Sequence, residues 1–271
     1  MKTKSNEKGA TLIVVLIMLI LISMVGLYAI RHSLLSLKLA TNAQVQTLLM
    51  QTSDVALDHF AKHFNSNEAT NYTGTPIGQI LLDGNQGKEL QFCFKPSEVG
   101  TSSIKNNSFF NVRDFRVLQR QSATSILAST SADSGDINAV CNTTTMFSIG
   151  RKVTVTQVSV VNPDDPSVEA RRFEYTTKET DPKESKSGIK RIRVIVTTLA
   201  PALASSASVA EMNDCLKTRM MDDLLLKNKA NTSVSPSQKK VQTVDECLNA
   251  LGVPLNTQVA EFVVNLSETT N

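Results

Sequence analysis

MKTKSNEKGATLIVVLIMLILISMVGLYAIRH, Met1 to His32, joins a short basic stretch to a long uncharged one. From Ala10 to Ile30 no residue carries a charge. Thr11 to Ile30 is 20 residues whose polar members are Thr11, Ser23 and Tyr28. As a helix it measures about 30 Å, the hydrocarbon thickness of a bilayer. A secretory signal would need a shorter apolar core followed by small residues, and here Arg31 and His32 follow directly. The reading is a single membrane-spanning helix with a basic leader, Lys2, Lys4 and Lys8 beside Glu7, ending at Gly9.

Nothing in the backbone chemistry stops this helix at Ile30. The first proline is Pro76, and Gly26 is the only glycine between Gly9 and Gly74. Leu34, Leu37, Val45, Leu48, Val55, Phe60 and Phe64 recur at three-, four- and seven-residue gaps bridged by Thr41 and Thr52, an amphipathic stripe. One continuous rod from Ala10 to about Phe64 is therefore expected, about 80 Å long. Asn65 to Gly87 breaks the period and reads as a loop.

The rest of the chain is polar and mixed. Hydrophobic residues at 41 % and charged ones at 20 % exclude a disordered chain. Leu90–Lys95, Val112–Arg120, Lys152–Val161, Val168–Thr177 and Ile189–Leu199 read as strands, the last three as an antiparallel meander, with a closing strand over Gln258–Leu266. Ser122 to Gly135, rich in Ser, Ala and Thr, is expected to be mobile surface. Ser208-Val-Ala-Glu211 and Thr243-Val-Asp-Glu246 have capping-box spacing and start two helices, the second stopping near Gly252 before Pro254.

Cys93, Cys141, Cys215 and Cys247 all lie beyond the apolar segment and none is in a C-x-x-C pair, which fits two disulfides in an oxidising compartment better than zinc. Three pairings exist in principle. The two capping boxes place Cys215 and Cys247 near the starts of two helices joined by a polar linker, so Cys215–Cys247 is expected, and by elimination Cys93–Cys141.

The fold class is thus α+β. Its parts are a leader (1–9), a transmembrane half-spine (10–30), an amphipathic half-spine (31–64) and a head (65–271) of antiparallel sheet with a disulfide-clamped helical insertion (208–252).

Enzymatic signals are lacking, with neither a Ser-His-Asp context nor a phosphate-cradling loop, so the chain reads as a non-enzyme without cofactor or metal. His59 and His63 share a helical face without a third ligand, and Asp133, Asp136 and Asn138 read as a polar loop before a calcium site. Removing the leader takes the formal charge from +3 to +1, which leaves no basic excess for nucleic acid. Arg171, Arg172, Lys186, Lys190, Arg191 and Arg193 read as solvated strand faces.

A basic leader ending in Gly9, then Ala10 and Thr11, then an uncharged helix that continues amphipathically, resembles type IV prepilins. Lys38-Leu-Ala-Thr-Asn42 and Asp54-Val-Ala-Leu57 are similar to segments of the PilX family of minor pilins, with Thr41 and Asp54 in place of the usual Gly and Glu. The resemblance implies processing between Gly9 and Ala10 by prepilin peptidase, methylation of the new N-terminus, and a single-pass inner-membrane protein with a periplasmic head that later joins an extracellular pilus. It also implies other minor pilins and the major pilin as partners. Major pilins carry Glu at the fifth mature position, and this chain has Val14. Pilins lacking that Glu are associated with filament initiation, so the expected role is a minor pilin that primes type IV pilus assembly and sits at or near the tip, in fibres that serve adhesion and twitching motility. The alternatives are a tip adhesin or DNA-contacting pilin whose head takes a ligand, and a generic single-pass periplasmic anchor.

Overall fold

A computed structural model describes residues 8–64, 76–82, 84–85, 87–95, 115–120, 127–135, 139–148, 153–163, 189–204, 206–222 and 242–265. The chain divides into two compact units, Met1–Thr47 and Leu48–Asn271.

Helix α1 runs from Lys8 to Phe64. In the first unit its side chains from Leu12 onward are exposed almost without exception. The hydroxyls of Ser23, Thr41 and Thr47 donate to the carbonyls of Leu19, Leu37 and Ala43 one turn back, so the apolar surface is not interrupted by unpaired polar groups.

The second unit is a six-stranded antiparallel sheet with helices on both faces. Its strands are β1 (Glu89–Cys93), β2 (Phe115–Arg120), β3 (Ala128–Gly135), β4 (Val155–Val161), β5 (Ile189–Leu199) and β6 (Leu255–Asn265), in the spatial order β3-β2-β1-β4-β5-β6. Alternation assigns the faces. Leu90 and Phe92, Val158 and Val160, and Ile192, Val194 and Val196 pack with Ala56 and Phe60 of α1 and with Ile77 and Ile80 of α2 (Pro76–Leu81). On the opposite face, Leu118, Val155, Val161, Ile195 and Leu199 pack with Met212 and Leu216 of α3 (Val209–Thr218) and with Val244 and Leu248 of α4 (Val244–Ala250).

Both capping boxes form, with Ser208 and Thr243 as N-caps and Glu211 and Glu246 reaching back. Helix α4 ends as a Schellman turn. Gly252, at φ +69°, donates to Asn249 O, and Val253 N–H donates to Leu248 O at 3.1 Å, with both Val253 and Leu248 buried.

Four sequence expectations change. Within the second unit the buried row of α1 is Leu49, Thr52, Ser53, Ala56 and Phe60, whereas Val55 is exposed and Leu48 half-buried. Small residues at 53 and 56 let the helix lie close to the sheet, a criterion that a search for large apolar residues misses. Part of the segment read as mobile surface is strand β3, paired with β2. The loop read over 65–87 contains α2. Strands β4 and β5 pair directly, Val155 opposite Leu199 through Val161 opposite Arg193, so no third strand stands between them as a meander would require. The segment 168–177 lies outside the described residues, as do Arg171, Arg172, Lys186, Asp136 and Asn138.

Candidate functional site

The first surface with a job to do is the apolar part of α1. Leu12 to Ile30 presents Leu, Ile, Val and Met outward on all sides, and Gly26 has open space around it. In water such a surface is costly; in lipid it is not, because every backbone group is paired within the helix. Among the described residues, α1 is the helix long and apolar enough to cross a membrane. Val14 sits within this surface, 57 % exposed, and offers no charge. At the end of the apolar run Tyr28 faces His32, ring centroids 6.3 Å apart, with Arg31 beside them, the aromatic and basic mixture suited to a membrane interface.

The end of α1 holds β6. Asn256 Nδ2 donates to Ser53 Oγ at 2.7 Å, Gln258 Nε2 donates to Asp54 Oδ1 at 2.8 Å, and the Phe60 and Phe262 rings lie 5.3 Å apart. The segment Asp54-Val-Ala-Leu57 thereby docks the spine on the sheet, with Ala56 buried.

These observations meet the comparisons with known proteins. Residues 8–58 match the family described as PilX N-terminal. Over this segment the chain has the N-terminal domain of PilX-family type IV pilins. Its role is pilin-related and structural, its partners include other pilins, and its apolar helix suits membrane anchoring. No curated protein and no solved structure matches the chain.

The head of the pilin carries two cross-links. Cys93–Cys141 has Cα atoms 4.8 Å apart and ties β1 to the segment before β4; Cys215–Cys247, at 5.8 Å, ties α3 to α4. Replacing both Cys215 and Cys247 with Ser should lower head stability by about 3–4 kcal/mol, since the bond closes a loop spanning 32 positions and restricts the unfolded chain. Urea denaturation followed by circular dichroism measures it, and an unchanged midpoint would count against a load on this bond.

Sequence reasoning did not find the cluster between the sheet and α3. Glu89, Gln91, Arg116, Gln157 and Arg193 project from four strands onto one face and all are buried. Arg116 Nη1 donates to Lys217 O at 2.6 Å; its Nη2 donates to Leu216 O at 2.8 Å and to Gln91 Oε1 at 2.7 Å. Glu89 accepts from Met221 N–H and Asp222 N–H at 2.8–3.0 Å and from Gln91 Nε2. Burial pushes the Glu89 carboxyl above its ordinary value despite these donors, and burial lowers Arg116 to about 10 although Glu89 opposes the shift.

Arg193 corrects an expectation. Read as a solvated strand residue, it is 7 % exposed and donates to Asp222 at 2.7 Å and to Glu261 at 3.0 Å. Burial pulls its guanidinium down, and the two carboxylates outweigh that and hold it above its ordinary value. A local signal existed, in that Arg193 alternates with Ile192 and Val194, but only the chain folded over it supplies the partners. His59 is half-buried, its ring 5.7 Å from Phe94, and no metal-binding cluster forms among the described residues.

Proposed function

We propose that this pilin is a minor pilin that primes type IV pilus assembly and is displayed at or near the filament tip. The observation carrying this is Val14, the fifth residue after Gly9, inside an uninterrupted apolar surface. A filament interior is a low-dielectric medium, where the N-terminal amine of a subunit needs a carboxylate nearby. A subunit with Val14 supplies none to a neighbour beyond it. It therefore fits best where there is no such neighbour. Before assembly the same helix holds the protein in the inner membrane with its head on the periplasmic side, where disulfides form.

The test is Val14→Glu. One carboxylate at this depth costs about 2.5–3.5 kcal/mol on insertion scales, which a helix of this hydrophobicity tolerates, so membrane content should stay near wild type. Pilus number, counted by electron microscopy of cells lacking the wild-type copy, should fall. Wild-type pilus number would remove the tip assignment and leave the family intact.

Ligand binding by the head remains the second reading. Among the basic residues of the head, Arg193 is already paired with Asp222 and Glu261 and is not offered to solvent.

A further inference from the structure

The six-stranded sheet ends in two strands of opposite character. At one edge β3 reads ASTSADSG, carries Asp133 and pairs with β2 through a register shift between Arg116 and Leu118. Polar composition, a charge and an irregularity are devices by which sheets discourage further pairing. The other edge, β6, lacks the irregularity and the polar composition. It runs 11 residues, LNTQVAEFVVN, in unbroken register with β5 from Leu255 opposite Leu199 to Asn265 opposite Ile189, and it contains no Pro, Lys or Arg. A strand bonded on one side directs the N–H and C=O groups of alternate residues away from its neighbour, and among the described residues no strand lies beyond β6.

The side chains of β6 add to this template. Val259 and Val263, 58 % and 52 % exposed, share a face with Glu261 between them. Valines left to water on an edge strand are surface that a further strand covers by cross-strand packing. Glu261 is the one charge in β6. Arg193 Nε and Nη2 both donate to its Oε1 at 3.0 Å, so Arg193 engages a single oxygen of a carboxylate whose side chain is half exposed. An incoming strand matches this face with one basic residue flanked, two positions to either side, by apolar ones. Strand β6 has no basic residue of its own, so pairing with the same strand of a second copy would set Glu261 opposite a neutral side chain or another carboxylate.

The place of β6 in the fold says which partner arrives there. It is the strand held to α1, by Asn256 to Ser53, Gln258 to Asp54 and Phe262 to Phe60. Met50 and Val55, on the same part of α1, stay 55 % and 47 % exposed. Other pilins are partners of this chain, and the segment that matches the pilin family, residues 8–58, includes this part of α1. A subunit laid against it comes alongside β6.

We propose that the open edge of β6, from Leu255 to Val263, docks an extended strand from the head of a different pilin, which joins the sheet beyond β6 and sets a basic side chain against Glu261. The inference rests on the pilin assignment and is independent of Val14 and of a place at the tip.

Photocrosslinking in cells tests it, with p-benzoylphenylalanine in the full-length chain in place of Val259 or Val263 and, as a reference on α1, in place of the exposed Leu37. Both β6 positions should give an adduct with one other pilin, and mass spectrometry should place the link on a segment with a basic residue flanked two positions away by apolar ones. Val259→Lys, which puts a guarding charge on an exposed site, should lower the adduct from position 263 at least about tenfold, with the Leu37 adduct and the urea midpoint of the head unchanged. Adducts from 259 and 263 to this chain itself, adducts to no pilin, or adducts indifferent to Val259→Lys, while position 37 still links to pilins, would overturn the edge assignment and leave the pilin reading standing. Loss of pilin adducts from position 37 as well would remove that reading and the proposal with it.

Discussion

Arg116→Ala should destabilise the head by about 3–5 kcal/mol, the range for removing one partner from a buried charge network. Three effects combine. In the last turn of α3, Lys217 O loses the guanidinium that satisfies it and Leu216 O keeps only Gln157 as a side-chain donor, while Gln91 Oε1 loses one of its donors. Glu89, fully buried, loses the cation that its charge interacts with. A large side chain is also deleted from a site 1 % exposed, which leaves a cavity. Against a typical net stability of about 5–15 kcal/mol such a loss leaves little margin.

Arg116→Met fills the volume but supplies no donor to Lys217 O, so it should recover only part of the loss. Pairing it with Glu89→Leu removes both charges and should be milder than the sum of the two single changes, since neither variant then strands an ion. Urea denaturation of the wild type and the four variants, with the linear extrapolation, gives the comparison. A loss under about 1 kcal/mol for Arg116→Ala would show the cluster to be incidental to stability.

Much of the fold was legible in the sequence for local reasons. The apolar run, the absence of Pro and the lone glycine between Gly9 and Gly74 predict α1, and the two capping boxes predict α3 and α4 because an N-cap is a contact between residues three apart. The disulfide pairing follows from those same helix starts, and the structure forms both expected bonds. What escaped is non-local. Strand β3 reads ASTSADSG, with none of the Val, Ile or aromatic content that marks a strand, and it exists because β2 offers it an edge. Helix α2 is six residues with Pro76 at its first position and Gly78 inside, too short to register as a period.

The charged cluster was hidden in plain alternation. Arg116 between Phe115 and Val117, and Arg193 between Ile192 and Val194, mark the second face of a two-sided sheet, and sequence alone assigns that face to water. The cover that buries it comes from residues 100 or more positions away along the chain for Arg116. For the assembly surface the situation is reversed. Val14 and the apolar helix need no tertiary structure to be recognised, because their partners, lipid or other helices, lie outside the chain.

Gly9→Val should abolish maturation and with it entry into pili. The resemblance to prepilins places cleavage after Gly9, and a β-branched residue there fills a position that otherwise has no side chain. An uncleaved leader then keeps Lys2, Lys4, Glu7 and Lys8 at the end of the apolar helix. For the helix to leave the bilayer toward the periplasmic side, those charges must cross about 30 Å of hydrocarbon, where each costs about 2.5–3.5 kcal/mol even on the most lenient scale. Inside a filament they would need partners that a bundle of Leu, Ile and Val surfaces does not supply. The uncleaved chain is therefore held in the membrane twice over, by an energetic barrier to extraction and by an unfavourable destination. Intact-mass measurement on membranes and on sheared pili reads both steps. Wild-type protein should begin at Ala10 with a methylated amine in both fractions, while Gly9→Val protein should keep Met1, accumulate in membranes and be missing from pili. Recovery of Met1 on wild-type protein, or of Gly9→Val protein in pili at wild-type amounts, would refute the processing assignment.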